Sequence, residues 1–261
     1  MWCKLFFVVV LRFVVSEIIF SEKVQIPTGN YLNDEVQVDS RIIGGEETEI
    51  LEHPYQVSFI VNNSYFCGGF IVSENYILTA AHCAQKKYIG YNLNLLSVCL
   101  WSGFHEKTTG QVQPLCLSMD KDVAVLKTEK PIEFIDTIQP IALPPKNRQV
   151  KGEFIVSGWG RTEYESFPER LMSVKLRVVN FDRCFAIYGT ILTKNMWCGG
   201  NFFLGGTGTG QGDSGGAAIQ DGMAMGIVSF NRAYGQAFSP SVFANIAAPA
   251  IRDFISNNTG L

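Results

Sequence analysis

The sequence predicts an all-β protein with one helix at its carboxyl end. Short runs of alternating apolar and polar residues recur along the chain between Gly, Asn, Ser or Pro, the spacing of barrels and sandwiches. The 261 residues include 25 glycines and 19 phenylalanines but only 17% charged residues, which favours apolar strands joined by tight turns. The net charge of −3 offers no basic surface for a polyanion and speaks against nucleic acid as a partner.

Residues 1–21 are predicted to be a secretory signal peptide, with the cut between residues 16 and 21. Lys4 precedes an apolar run from Leu5 to Val15, as in such leaders. Arg12 interrupts the run, so a membrane-spanning helix of about 20 apolar residues is not available. We therefore expect a secreted, extracellular protein that does not bind membranes. The alternative is a buried or amphipathic amino-terminal segment.

Residues 22–41 are polar and lack a sustained period, so we interpret them as a short propeptide. From residue 42 onward, alternating runs predict strands. The first run is expected to turn apolar residues to one side and polar residues to the other: Tyr55, Val57 and Phe59 against Gln56 and Ser58. Similar runs cover residues 70–72, 76–79, 95–101, 123–127, 154–157, 174–179 and 223–230.

Apolar residues at helical spacing predict the carboxyl-terminal helix. They recur at i, i+3, i+4, i+7 and i+8: Ala247, Ala250, Ile251, Phe254 and Ile255. Residues 132–149, which are rich in proline, are expected to link two halves of comparable length, at about 42–131 and about 150–261.

Three short segments carry a candidate base, carboxylate and nucleophile. They hold His82 in Thr-Ala-Ala-His-Cys, Asp122 directly before an apolar strand, and Ser214 in Gly-Asp-Ser-Gly-Gly. A serine hydroxyl is a weak nucleophile until a base removes its proton, and a carboxylate must hold that imidazole in one tautomer. Glycines around Ser214 allow a sharp turn that aims the N–H groups of Gly212 and Ser214 at one point, an oxyanion site.

Other interpretations of these residues fit less well. The Gly-Asp-Ser-Gly-Gly segment also matches the nucleophile turn of α/β-hydrolases, but there the histidine follows the serine, whereas His53, His82 and His105 all precede Ser214. His53 precedes a proline and His105 lies in a polar loop, which makes both weaker candidates for the base. Asp120 is the weaker carboxylate because it is expected to be a solvated loop charge.

In this order, the motifs resemble those of the chymotrypsin-like (trypsin-like) serine proteases over nearly all of residues 42–261. Further segments match that family: Ile42-Ile43-Gly44-Gly45 after Arg41, Ser157-Gly158-Trp159-Gly160, and Ser229-Phe230-Asn231 in place of Ser-Trp-Gly. The resemblance implies a peptidase domain of two packed Greek-key antiparallel β-barrels, with His82, Asp122 and Ser214 as catalytic residues. It also implies a chymotrypsin/elastase-type member with protein or peptide substrates and protein protease inhibitors as partners.

The resemblance further implies activation by cleavage. A trypsin-like protease would cut after Arg41, and the new ammonium of Ile42 would pair with Asp213 beside the nucleophile. Because an unpartnered buried carboxylate is costly, the uncut chain is expected to be a zymogen with a poorly formed oxyanion site.

Six of the seven cysteines remain after removal of the leader, and in an oxidising compartment spaced pairs are expected to form disulfides. The pairs implied by the resemblance are Cys67–Cys83 and Cys184–Cys198. The family's bridge beside the specificity pocket is missing because Gly210 and Gly235 occupy its positions, and a looser pocket rim is expected. Cys99 and Cys116 remain as a nonstandard third bridge or as two thiols.

The resemblance places Gly208, followed by Thr209, at the floor of the specificity pocket. No carboxylate stands there, so an arginine or lysine would enter without a counter-charge. The walls are expected to be Ser229, Phe230, Asn231 and Ser241. Asn231 and Ser241 should narrow the slot, which favours cleavage after small-to-medium uncharged residues, with aromatic residues second. Neither a cofactor nor a metal is expected.

We therefore expect a secreted, monomeric serine endopeptidase that is made as a zymogen. The alternative is a non-catalytic homologue that binds proteins through the same fold. Departures from the family pattern at Gly210, Gly235 and Asn231 motivate that alternative.

Overall fold

The computed structural model describes residues 42–61, 64–84, 97–100, 104–107, 112–114, 119–161 and 168–261, and only the backbone in the three short ranges between 97 and 114. The expected signal peptide, the propeptide with Arg41, and the Cys99–Cys116 bridge lie outside the described residues. No helix in the described part of the chain is long and apolar enough to cross a membrane.

The described chain is built mainly of antiparallel strands. In chain order they are β1 (Glu46–Glu47), β2 (Gln56–Val61), β3 (Ser64–Ser73), β4 (Tyr76–Thr79), β5 (Ser97–Leu100), β6 (Phe104–Lys107), β7 (Val112–Pro114), β8 (Ala124–Lys127), β9 (Glu153–Gly158), β10 (Met172–Val179), β11 (Met196–Gly199), β12 (Ala217–Gln220), β13 (Met223–Phe230) and β14 (Ser241–Asn245). The all-β prediction is confirmed, and each predicted run overlaps a strand. The short strands β1, β6, β7, β11, β12 and β14 lie outside the predicted runs.

The strands form two sheets. The first has the order β6-β5-β2-β3-β4-β8-β7. The second has the order β1-β10-β11-β14-β13-β12-β9, and β9 also pairs with β10, which closes six of its strands into a barrel. Closure removes the exposed sheet edges between β9 and β10.

The described residues form two α-helices, α1 (Phe181–Tyr188) and α2 (Pro249–Thr259). Helix α2 begins with a proline and ends at Gly260 in the left-handed conformation, which are favourable residues at those positions. Ile251 and Ile255 are fully buried in it, which confirms the predicted helix. Helix α1 was not predicted because its eight residues bury only two side chains.

Two segments cross between the halves of the chain. Strand β1 pairs with β10 of the second sheet, with Glu46 opposite Ser173. In the other direction, Ile251 and Ile255 of α2 pack in the same apolar cluster as Val57 of the first sheet. Each half therefore stabilises the other.

Strand β2 departs from its expected alternation. Gln56 and Ser58 are only 2% and 8% exposed, although both were expected on a polar face. The second sheet covers that face, and the Ser157 hydroxyl donates a hydrogen bond to Gln56 Oε1 at 3.0 Å. A satisfied amide at this junction fixes one sheet relative to the other.

Candidate active site

Strand pairing brings His82 and Asp122 together. Strands β4 and β8 are antiparallel, with Thr79 opposite Ala124. His82 lies in a single-turn helix, Ala81–Ala84, that follows the end of β4, and Asp122 lies just before the start of β8. Because the end of one strand meets the beginning of the other, two residues 40 positions apart become neighbours.

The Asp122 carboxylate is nearly fully hydrogen-bonded. Its Oδ2 lies 2.7 Å from His82 Nδ1 and accepts from the Ser229 hydroxyl at 2.6 Å, while Oδ1 accepts from the His82 backbone N–H at 2.9 Å. The Asp122 side chain is 2% exposed and that of His82 is 27% exposed. Since an ionised carboxylate only accepts, Nδ1 carries the proton and Nε2 is left as the basic nitrogen.

Ser214 is held against the first sheet. Its carbonyl accepts from the Gly68 N–H at 2.8 Å. The following Gly215 has φ of +86°, and a Cβ there would overlap the Thr79 hydroxyl and the Gly68 carbonyl. Glycine is therefore required where the Ser214 turn meets strand β3.

One sulfur of the Cys67–Cys83 disulfide lies close to both His82 and Ser214. Cys83 Sγ lies 3.7 Å from His82 Nε2 and 3.6 Å from the Ser214 carbonyl oxygen. Within the described residues, no hydrogen bond joins the Ser214 hydroxyl to His82. In enzymes without bound substrate, such bonds are often long and tighten only in the complex.

The turn before Ser214 presents two unused donors. Gly212 has φ of +101°, and the preceding Gln211 carbonyl accepts from Arg161 N–H at 2.5 Å. Among the described residues, neither the Gly212 N–H nor the Ser214 N–H has a hydrogen-bond partner. Two free backbone donors beside a serine hydroxyl can bind a developing oxyanion.

Asp213 points away from these donors into the protein. It is 1% exposed, and its carboxylate accepts from the Gly160 N–H at 2.9 Å and the Gly210 N–H at 2.7 Å. Burial raises the pKa of Asp213 to about 7, and the two backbone donors only partly oppose this. No cation neutralises the group among the described residues.

Ile42 and Ile43 lie beside the predicted pocket floor. Ile42 is fully buried with φ of +40°, a strained region for a β-branched residue. The Ile43 carbonyl accepts from the Gly208 N–H at 2.9 Å. The start of the described chain is therefore tied directly to the pocket.

Three of the predicted pocket residues are linked by hydrogen bonds. Thr209 Oγ1 lies 2.8 Å from Ser241 Oγ. Asn231 Nδ2 donates to the Thr209 carbonyl at 3.1 Å and lies 3.3 Å from its hydroxyl. These three side chains therefore satisfy one another's hydrogen bonds.

The other two predicted wall residues have different contacts. The Ser229 hydroxyl bonds to Asp122, so this residue supports the imidazole–carboxylate pair, a role that sequence reasoning missed. The Phe230 ring packs edge-on against Tyr188, with centroids 5.6 Å apart.

The two glycines in place of the family's pocket bridge have no room for side chains. A Cβ on Gly210 would overlap the Arg161 carbonyl, and one on Gly235, where φ is +61°, would overlap the Ile43 side chain. Neighbouring atoms therefore fill the space that a disulfide would take.

The disulfides Cys67–Cys83 and Cys184–Cys198 are both formed, as expected. In the described ranges, the cluster with metal-ligating side chains consists of Cys67, His82 and Cys83. Both of its sulfurs are already bonded to each other, so it is not a metal site.

The alternative site residues lie in other environments. His53 is buried with Nδ1 2.9 Å from the Tyr55 hydroxyl, and burial lowers its pKa. Asp120 accepts from Thr193 at 2.6 Å and from Asn195 at 3.0 Å. The His105 side chain lies outside the description.

Comparisons with known proteins agree with this geometry. The sequence model of the Trypsin family matches residues 42–255. A trypsin of Phaedon cochleariae is 32% identical over 86% of this chain and 91% of its own length. Trypsin 5G1 of Aedes aegypti is 34% identical, with 85% and 86% covered, and trypsin delta of Drosophila melanogaster is 32% identical, with 85% and 90% covered. The chain therefore belongs to the trypsin family and is a serine endopeptidase.

Proposed function

We propose that this chain is a secreted serine endopeptidase, made as a zymogen, in which His82, Asp122 and Ser214 cleave peptide bonds. The observation that carries the proposal is the buried Asp122 carboxylate bound to His82 Nδ1, 2.7 Å away, beside the Ser214 turn. Membership in the family implies protein substrates and protein inhibitors. The two disulfides favour an oxidising, extracellular setting, and we propose a monomer.

The residues divide the reaction as follows. Ser214 Oγ attacks the carbonyl carbon while His82 Nε2 takes the hydroxyl proton, and Asp122 stabilises the imidazolium that forms. The N–H groups of Gly212 and Ser214 bind the oxyanion of the tetrahedral intermediate. His82 then protonates the leaving amine. In the second half of the reaction, water attacks the acyl-enzyme with His82 again as the base, which releases Ser214.

Ser214 is expected to be the only site labelled by an organophosphorus probe after cleavage at Arg41. An activated serine is expected to form one phosphoryl ester per enzyme molecule. Ser214→Ala should abolish the label. The measurement is mass spectrometry of the labelled peptide, with Ser73→Ala as a matched control that keeps full labelling. Correctly processed protein that stays unlabelled would identify a binding protein instead of an enzyme.

Activation is proposed to begin with cleavage after Arg41. The cut removes the peptide carbonyl that defines φ of Ile42, so the strain at that residue disappears. It also creates an ammonium on Ile42 that would pair with Asp213, whose buried carboxylate lacks a described cation. A paired Asp213 would hold the Gly212–Ser214 turn in the oxyanion-binding conformation.

The trypsin names of the relatives favour cleavage after arginine or lysine, whereas the pocket of this chain supports an uncharged residue. Gly208 brings no carboxylate to the floor, and Asp213 is bound to two backbone amides. Asn231, Thr209 and Ser241 bond to one another and carry no negative charge that would neutralise a cation. We propose that the cleaved residue is small to medium and uncharged, with aromatic residues second.

A peptide library is expected to give kcat/KM for arginine or lysine at the cleaved position at least about 100-fold below the best uncharged residue, since an unpaired charge would be buried. Replacing Asn231 with glycine should widen the specificity pocket. We expect kcat/KM for phenylalanine relative to alanine to rise about tenfold or more. The matched control Asn75→Gly, in the β3–β4 turn, should leave both ratios unchanged. Preference for arginine in the wild type would show that the pocket is wrongly assigned.

A further inference from the structure

The last turn of helix α2 carries a motif that peptide hydrolysis does not use. Asn257, Asn258 and Thr259 form an Asn-X-Thr triplet, the acceptor sequence for N-linked glycans in exported proteins. A further triplet of this kind, at Asn62, lies outside the described residues. Because such triplets also occur by chance, a site requires in addition an acceptor amide that faces solvent and is not held by other bonds.

Helix α2 turns Asn257 away from the protein. Ile251 and Ile255 are fully buried in the apolar cluster that contains Val57, whereas Asp253 and Asn257 are exposed. Residues four apart share a face of a helix, so Asp253 and Asn257 lie on the face opposite the two isoleucines. A group attached to Asn257 therefore extends into solvent without displacing any of these core side chains.

The three side chains of the triplet differ in their hydrogen bonds. Asn258 Nδ2 donates to the Phe254 carbonyl at 2.7 Å, and the Thr259 hydroxyl donates to the Ile255 carbonyl at 2.8 Å. Both side chains help to close the last turn of the helix. The Asn257 side chain, in contrast, makes no hydrogen bond to another residue in the described part of the chain. Its amide nitrogen is both exposed and uncommitted.

We propose that Asn257 is a site of N-glycosylation, which places a bulky, hydrophilic glycan on the solvent face of helix α2. The donor belongs to the class of oligosaccharides carried on a lipid diphosphate. Asn257 Nδ2 forms a bond to C1 of the first sugar and loses one proton to solvent. The bond from C1 to the diphosphate oxygen breaks, and the lipid diphosphate leaves. The proposal rests on the proposed secretion of this chain.

The transfer has to precede the packing of helix α2. In the helix, residues two apart do not face each other, and the Thr259 hydroxyl is bound to the Ile255 carbonyl, so the triplet cannot act as a unit. In a chain that is not yet helical, an Asx turn can bring the Asn257 side chain to the backbone of residue 259. Helix α2 has 11 residues, and isolated helices of this length are marginal in water. The triplet is therefore accessible until α2 packs, after which the glycan stays on the outer face.

The test uses the full chain with Ser214→Ala, collected from the medium of cultured insect cells. Peptide-N-glycosidase in heavy-oxygen water converts a glycosylated asparagine into an isotope-labelled aspartate. Mass spectrometry of the tryptic peptide that begins at Asp253 should find this label at Asn257 in most molecules. Asn257→Gln and Thr259→Ala should each abolish the label in this peptide.

Two matched controls change the same turn but keep the acceptor sequence. Asn258→Gln and Thr259→Ser preserve an Asn-X-Thr or Asn-X-Ser triplet, so both should retain the label at Asn257. A label that survives Thr259→Ala would show that the modification does not depend on the triplet, and it would overturn the proposal.

A second acceptor separates this proposal from that of secretion. Gln149→Thr creates an Asn-X-Thr triplet at Asn147, and both of these residues are exposed and lie outside helix α2. A label on Asn147 without one on Asn257 would overturn glycosylation of Asn257 and leave secretion in place. Protein that stays inside the cells without a label at either acceptor would overturn both proposals.

Discussion

Replacing Asp122 with asparagine is expected to lower kcat about 10⁴-fold, the magnitude known for the corresponding substitution in reference enzymes of the family. The carboxylate accepts three hydrogen bonds, from His82 Nδ1, the His82 backbone N–H and Ser229. An asparagine can place only one oxygen among these donors, so the imidazole adopts the wrong tautomer or loses its partner. The measurement is kcat on the best uncharged substrate.

The matched control is Asp120→Asn, which removes an equal charge two residues earlier. Asp120 bonds to Thr193 and Asn195, so kcat should stay at the wild-type value. Because Asp122 is buried, circular dichroism and thermal unfolding must accompany the kinetics to show that the variant folds. A folded Asp122→Asn enzyme with more than a tenth of the wild-type kcat would exclude Asp122 as the orienting carboxylate.

The sequence predicted those elements of the structure that local patterns encode. The strand before His82 and the strand after Asp122 show their own alternation, and their antiparallel pairing places the two residues together. Helix α2 was predicted because its apolar stripe is long enough to show a period. Short turns rich in glycine marked the Ser214 segment, where the backbone must take positive φ.

The parts that were missed depend on contacts between distant residues. The Ser229–Asp122 bond joins residues 107 positions apart, and the Ser157–Gln56 bond joins residues 101 positions apart. No local pattern encodes either pair, so Ser229 was predicted as a pocket wall and Gln56 as part of the polar side of its strand. Helix α1 is short and leaves Phe181 and Phe185 exposed, which removes the polar face that would identify it.

Replacing Arg41 with glutamine is expected to keep kcat/KM at least about 100-fold below that of the cleaved wild type after treatment with a trypsin-like protease, a difference of about 2.7 kcal/mol in transition-state stabilisation. Without a cut, Ile42 has no ammonium to offer Asp213. The buried carboxylate then relies on the Gly160 and Gly210 amides alone. The matched control Arg148→Gln should be activated like the wild type, and full activity of uncut Arg41→Gln would contradict the zymogen proposal.

The same pair predicts that pH affects the stability of the uncut form but not that of the cut form. In the uncut chain the pKa of Asp213 is raised from 3.8 to about 7, so the folded state binds the proton more tightly than the unfolded state. The stability from this group is therefore fully present below about pH 4 and is lost as pH rises through about 7, in all about 4 kcal/mol. After cleavage the Ile42 ammonium favours the ionised carboxylate and lowers that pKa, so this loss should disappear.

Urea unfolding of the Ser214→Ala protein at about pH 5 and about pH 8 measures the slope of the free energy of unfolding with pH, without self-digestion. The measurement is made on the cut and on the uncut protein. Asp213→Asn serves as the control: an amide does not titrate, so the part of the pH difference that comes from Asp213 should vanish in the uncut chain, while the part from His53, whose pKa burial lowers, should remain. Equal slopes for the cut and uncut proteins would mean that the new amino terminus never reaches Asp213. Activation would then have to act on the Ser214 turn by another route.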